Sequence, residues 1–235
     1  MHKKRSTLFH YFSKGELALW LTSLAVILGS FFAFHGTNYL SLIASLIGVT
    51  ALIYTAKGNP VGQLLMVIFS LLYGVISFQY TYYGEMLTYV GMTAPMALFS
   101  LIAWLRHPYN GNRSEVAVNR LKRGETGWML LLAALVTVVF YFILAAFHTA
   151  NLLPSTISVT TSFIAVYLTF RRSPFYALAY AANDIVLIIL WTLAALGDST
   201  YLSVVFCFIL FLFNDLYGFV SWNRMQKRQT GPSHA

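Results

Sequence analysis

Apolar residues run along the chain in eight long stretches, broken by short clusters of polar and turn-forming residues. The stretches are Leu17 to Phe34, Tyr39 to Tyr54, Gly62 to Tyr80, Gly84 to Trp104, Trp128 to Phe147, Ser155 to Phe170, Phe175 to Leu196 and Tyr201 to Trp222. A helix of about 20 such residues crosses the hydrocarbon core of a bilayer, where no water satisfies a loose backbone group. The longest polar stretch, Arg106 to Thr126, is too short for a soluble domain. The pattern predicts an all-α membrane protein of eight transmembrane helices, with any function placed between them.

The same pattern repeats within the chain. Ser41 to Pro60 and Ser155 to Pro174 align without a gap, each a short helix ending in a basic turn closed by proline, Lys57-Gly-Asn-Pro60 and Arg171-Arg-Ser-Pro174. Pro95 to Trp104 aligns with Phe213 to Trp222 after four extra residues in the second copy. The chain then reads as an N-terminus with an extra helix (1–38), a first three-helix unit (39–106), a loop and linker helix (107–154), a second three-helix unit (155–222) and a tail (223–235). A shift of four spans leaves both units crossing in the same direction, a parallel repeat about an axis along the membrane normal. Transporters use this plan, with substrate held near midplane between the copies.

Charge orients the bundle. Only 9% of the 235 residues are charged against 58% hydrophobic, so water is not the main solvent. Every Lys and Arg falls before the first span, in the loops after the second, fourth and sixth, or after the eighth: Lys3, Lys4, Arg5, Lys14, Lys57, Arg106, Arg113, Arg120, Lys122, Arg123, Arg171, Arg172, Arg224, Lys227 and Arg228. This is the positive-inside pattern and predicts a plasma (inner) membrane protein with both termini cytoplasmic. The net charge of +8 is explained by topology, and nucleic acid is not an expected partner. Glu85 and Asp198 are expected in turns on the far side, and Trp20, Trp104, Trp128 and Trp222 as interfacial anchors. Basic residues before the first span resemble a signal peptide, but no small-x-small cleavage site follows, so a retained helix is expected.

Polar residues inside the spans carry the candidate chemistry. Asn183-Asp184 interrupts the seventh span and Asn214-Asp215 the eighth, and a buried Asp costs about 2.5 to 3.5 kcal/mol on insertion scales. At helical spacing Tyr180, Asn183, Asp184, Leu187 and Trp191 share one stripe; Asn214, Tyr217, Gly218, Ser221 and Trp222 share another. The third span adds Ser70, Tyr73, Gly74 and Ser77 on one face, with Gln79 near its outer end. Two readings stand: these groups line a wet cavity, or they bond helix to helix at roughly 0.6 kcal/mol each. In the first copy the positions equivalent to the tetrad are Phe69, Ser70, Met96 and Ala97, so the tetrad belongs to the second copy alone. Cys207 is the only cysteine, which excludes an intramolecular disulfide. All six histidines fall in loops or tails, so no metal site, cofactor or histidine-based catalyst is expected.

The run Tyr83-Gly-Glu-Met-Leu-Thr-Tyr-Val-Gly-Met-Thr-Ala-Pro-Met96 and the segment Trp104 to Val116 resemble the PnuC family of bacterial vitamin transporters. So do Asn183-Asp184 with Trp191, and Asn214-Asp-Leu-Tyr-Gly-Phe-Val-Ser-Trp222; the likeness spans about Tyr39 to Trp222. Where some members carry a Trp-rich approach to the seventh helix, this chain has Phe175, Tyr176 and Tyr180. The resemblance implies a SWEET-like three-plus-one-plus-three fold, a homotrimer, and facilitated diffusion of nicotinamide riboside with trapping by cytosolic phosphorylation. Relatives carrying thiamine, riboflavin or deoxynucleosides make another vitamin or nucleoside the alternative cargo. Nicotinamide riboside presents a pyridinium, a carboxamide and a ribose, which aromatic faces and amides suit. Asn183 and Asn214 are then expected on its amide or ribose, Trp191 with Tyr217 or Tyr73 on its ring, and Asp184 or Asp215 against its charge; Gln79 completes the substrate set.

Three other readings compete. A proton-coupled symporter would use Asp184 or Asp215 as relay. A membrane enzyme lacks a paired acid, base and nucleophile, and no catalytic residue is assigned. A structural membrane subunit would carry nothing.

Overall fold

The computed structural model of the chain describes residues 11–35, 38–79, 82–149 and 151–231. Lys3, Lys4 and Arg5, and the expected end of the third span at Tyr80, lie outside them. Among the described residues eight helices are long and apolar enough to cross a membrane. They are α1 (Lys14–Ala33), α2 (Tyr39–Ala56), α3 (Pro60–Gln79), α4 (Tyr83–Arg106), α5 (Arg123–Ala146), α6 (Leu152–Phe170), α7 (Tyr176–Ala195) and α8 (Leu202–Thr230), the last led by a 3-10 turn, Ser199–Tyr201.

Local chemistry sets their ends. α1 starts in a capping box: the Ser13 hydroxyl accepts the Glu16 N–H while the Glu16 carboxylate accepts the Ser13 N–H at 2.6 Å. The Asn38 side-chain oxygen caps α2 through the Ser41 N–H. Asp198 caps the 3-10 turn, accepting the Thr200 N–H and hydroxyl at 2.9 and 2.8 Å, and those bonds hold its carboxyl below the usual range. Gly58 and Arg172 occupy equivalent positions in the turns after α2 and α6, and both have positive φ, +65° and 58°. Glycine adopts this conformation freely; an L side chain pays about 1 to 2 kcal/mol for it.

α4 is not one uniform helix. Tyr89–Thr93 forms a π turn between α-helical halves, and the Ala94 N–H reaches back to the Tyr89 carbonyl. Pro95 follows directly; it has no N–H to give, and the wider turn absorbs the irregularity it imposes.

The packing is reciprocal. α2, α3 and α4 pack in sequence, as do α6, α7 and α8. Across the two groups α2 packs on α8 and α4 packs on α6, so the first helix of each meets the third of the other. Two hydrogen bonds repeat the exchange: Trp104 Nε1 at the end of α4 donates to the Thr169 carbonyl at 3.0 Å, and Trp222 Nε1 at the end of α8 donates to the Thr55 carbonyl at 2.8 Å. Thr55 and Thr169, like Trp104 and Trp222, are equivalent positions in the sequence alignment above.

These tryptophans correct one expectation. Trp104 and Trp222 are fully buried, with ring centroids 5.3 Å apart at the centre of the basic end, and do not anchor an interface. A carbonyl deep in the bundle supplies the partner that interfacial water was expected to give. Trp128 alone is strongly exposed, while Trp20 bonds the Thr50 hydroxyl.

α1 packs on α2 and α8; α5 packs on α6 and buries only Met129, Ala133 and Leu144 of its 24 residues. Its remaining surface is apolar enough for lipid. The polar stretch between α4 and α5 folds into a hairpin, β1 (Pro108–Tyr109) and β2 (Asn112–Val116). Asn110 and Gly111 take positive φ at its tip, as a type I′ turn requires. The hairpin and the segment after it strap the basic end: the Val116 N–H donates to the Gly58 carbonyl, and the Asn119 N–H and side chain donate to the Arg172 and Arg171 carbonyls.

Candidate functional site

Between the two helical groups, near the middle of the helices, lies a cavity of about 30 Å³. Leu52 of α2, Met66 and Phe69 of α3, and Tyr89 and Thr93 of the π turn supply one wall; Ser162, Tyr180, Asn183, Asp184, Phe208, Phe211 and Asp215 supply the other. It has room for a water molecule and falls well short of the roughly 300 Å³ a small-molecule site encloses. A larger guest therefore enters only if side chains move, and Phe69, Phe211, Tyr89 and Tyr180 form its bulky walls. Gly48 lets two of these lie back: a Cβ there would stand 2.4 Å from the Phe211 ring and 3.0 Å from that of Phe69.

The polar groups of the cavity hold one another. The Asn183 side-chain oxygen accepts from the hydroxyls of Thr161, Ser162 and Ser158 at 2.8, 3.0 and 3.4 Å, all on α6. With the oxygen so engaged, its NH2 is the part left to donate to a ligand. The carboxyls of Asp184 and Asp215 stand together in the cavity wall. Two anions so close in a dry site would repel, so the pair favours sharing a proton or meeting a cation. One Asp184 oxygen has no hydrogen-bond partner.

Aromatic rings close the cavity at both ends. Towards the basic end stand Trp104, Trp222 and Tyr176, the last two 5.0 Å apart edge to face. Towards the opposite end Trp191 meets Tyr82 at 5.1 Å, Tyr201 at 5.6 Å and Tyr73 at 6.2 Å, and Tyr73 lies 4.5 Å from Tyr89. The Tyr73 hydroxyl and Trp191 N–H face each other without closing a well-formed bond.

Of the residues singled out from sequence, Asn183, Asp184 and Asp215 meet in the cavity wall, and Tyr73 and Trp191 stand in the aromatic layer beyond it. Asn214 faces α1 instead, its NH2 donating to the Ser23 hydroxyl at 3.1 Å and to the Leu210 carbonyl at 2.8 Å. Tyr217 also faces α1, donating to Glu16 at 2.9 Å, and Glu16 pairs with Lys57 at 3.1 Å. Gln79 is exposed at the end of α3, 3.5 Å from the Asn38 amide.

Sequence reasoning missed the α6 hydroxyls. The run Ser155-Thr-Ile-Ser-Val-Thr-Thr-Ser162 holds six of them in eight residues, a density that could have flagged a polar face. It also misplaced Glu85, which is not in a turn: it lies within α4, 3% exposed. Its side chain turns towards α6, where one carboxyl oxygen meets the Ser158 hydroxyl at 3.5 Å, and neighbouring Gly84 lets Leu144 of α5 approach, since a Cβ there would stand 2.7 Å from it.

Two larger cavities, about 360 and 450 Å³, sit at the basic end among turn and helix-end residues. The first is lined by Lys57, Glu115, Arg224 and Arg228, the second by Asn119, Leu121, Pro174 and Phe175. Neither contains the buried acid pair or lies between the reciprocal helices. Among the described residues no cluster of His, Cys, Asp and Glu is placed to hold a metal ion.

Residues 38–224 match the nicotinamide mononucleotide transporter family. The nicotinamide riboside transporter PnuC of Neisseria mucosa is 26% identical over 219 residues, covering 91% of this chain and 83% of that protein. The crystal structure of the vitamin B3 transporter PnuC shares the fold, with a TM-score of 0.82 at 22% identity over 95% of this chain and 96% of that one. With eight spanning helices and a match across both helical groups, the chain is a multi-pass membrane protein of the nicotinamide mononucleotide transporter family, the family of PnuC, whose members are transporters and not enzymes.

Proposed function

We propose that the protein takes up nicotinamide riboside across the bacterial plasma membrane by facilitated diffusion. The substrate binds between the two helical groups and is trapped by phosphorylation in the cytosol. The observation that carries the reading is the buried cavity at mid-helix, where an amide with a free NH2 and an acid pair stand among aromatic rings. The pyridinium suits the aromatic faces and the carboxyls, and the carboxamide and ribose suit Asn183. The likeness to the nicotinamide riboside transporter of Neisseria mucosa supports the same cargo. Movement of the aromatic layers on either side would open the cavity to one face at a time. Asn214 joins the site when its amide leaves Ser23, and Tyr217 when it leaves Glu16. The basic end faces the cytoplasm in this reading, as the distribution of Lys and Arg supports. A homotrimer is carried by the family resemblance.

Counterflow in proteoliposomes tests the cargo. Labelled nicotinamide riboside should exchange into vesicles preloaded with the unlabelled compound, and excess thiamine, riboflavin or thymidine should leave that exchange intact. Absence of that exchange, with labelled thiamine, riboflavin or thymidine exchanging instead, would reassign the substrate. The meeting of Asp184 and Asp215 in the cavity wall favours a second reading, proton coupling through that pair. Uptake that stops when a protonophore collapses the gradient would establish it; unchanged uptake supports diffusion alone.

A further inference from the structure

Glu85 is a buried acid without a cation. It is 3% exposed, one carboxyl oxygen has no partner, and the other meets only the Ser158 hydroxyl at 3.5 Å. None of the ion pairs among the described residues includes it. An acid removed from water normally recovers the loss from a counter-ion or several donors, and here one long bond stands in for both. Two neighbours tie it to the cavity: Ser158 also reaches Asn183, and Tyr89, one helical turn along α4, lines the cavity wall. Glu85 stands at the start of α4, away from the basic end, just after Tyr82, whose ring meets Trp191, and one turn before Tyr89, whose ring is 4.5 Å from Tyr73.

We propose that Glu85 is the charge-selecting residue of the transport path. Its carboxyl meets the positive ring of a pyridinium nucleoside between the aromatic layer and the cavity, and makes the protein choose the cation over a neutral ligand of the same shape. Aromatic faces supply attraction for the cation on the same route, and the carboxylate adds what a ring quadrupole alone lacks. The proposal rests on the substrate reading given above.

The ligand pair that tests it is nicotinamide riboside and its 1,4-dihydro form, which differ by one hydride and therefore by the ring charge. Titration calorimetry on the wild-type protein should show tighter binding of the cation. In Glu85→Gln, affinity for the cation should fall about tenfold, the loss expected of one charge-assisted contact, while the dihydro compound binds unchanged and so reports a folded site. Glu85→Asp should recover part of the loss. Equal effects of Glu85→Gln on both ligands, or on neither, overturn the proposal. So does a wild type that binds both equally, a result that leaves the substrate reading standing. A wild type that binds neither overturns the substrate reading and this proposal together.

Discussion

Asn183 shows how a polar residue inside a membrane is both held and left available. Three hydroxyls of α6 fix its oxygen, and each serine or threonine can turn back to a carbonyl of its own helix if the amide is lost, as Thr161, 3.0 Å from the Ile157 carbonyl, is placed to do. Asn183→Ala should therefore lower nicotinamide riboside affinity about tenfold in calorimetry while the melting temperature in detergent falls by only a few degrees. A large fall in melting temperature with affinity intact would make Asn183 a packing residue. At this scale the sequence exposed the buried carboxyls and amides, because an ionisable group in an apolar helix is costly wherever it points. It left open which neighbour each would meet. A helical stripe joins Asn214 to Tyr217, but only the position of α1 shows that Ser23 and Glu16 take them. Glu85 was misplaced for a related reason: a charge near the end of an apolar run looks like a turn until Ser158 of α6 is seen to face it.

At the scale of single elements, the eight helices follow from apolar runs alone, and their observed bounds differ from the expected ones mainly at the basic end. α8 continues to Thr230, eight residues past Trp222, because Arg224, Lys227 and Arg228 leave hydrocarbon without leaving the helix. The hairpin after α4 was written in Asn110-Gly111, a turn pair that a reading for membrane spans passes over as loop. Pro95 announced an irregularity in α4 without revealing the π turn that accommodates it. Close approach is likewise invisible in sequence. A Cβ on Gly62 would stand 2.3 Å from the Thr55 hydroxyl oxygen and 2.6 Å from the Thr55 nitrogen, whereas one on Gly29 meets nothing within 4 Å. Gly62→Ala should then lower the melting temperature clearly, since backbone must shift to admit it. Gly29→Ala should be neutral or stabilising, by up to about 1 kcal/mol from helix propensity. Equal effects in a fluorescence melt would contradict the close packing of α2 on α3.

Across the whole molecule, the two helical groups embrace: α2 lies on α8 as α6 lies on α4, and Trp222 bonds Thr55 as Trp104 bonds Thr169. The alignment of proline-closed turns and terminal tryptophans is compatible with this packing, but it could not say that the aligned residues would meet across the centre. The cavity sets Asn183, Asp184 and Asp215 of one group against Leu52, Met66, Phe69, Tyr89 and Thr93 of the other, an asymmetric chamber inside a near-symmetric frame. Sidedness is testable with thiol chemistry, since Cys207 is buried and should stay silent. In intact cells an impermeant maleimide should label Asp198→Cys and spare Thr230→Cys; the reverse pattern would invert the assigned orientation. The most direct measurement of the central claim is an experimental structure with nicotinamide riboside bound. The ligand should lie within hydrogen-bonding reach of Asn183, between α2, α3 and α4 on one side and α6, α7 and α8 on the other. Ligand density instead in the cavities of the basic end, beside Lys57 and Arg224 or against Phe175, would contradict it.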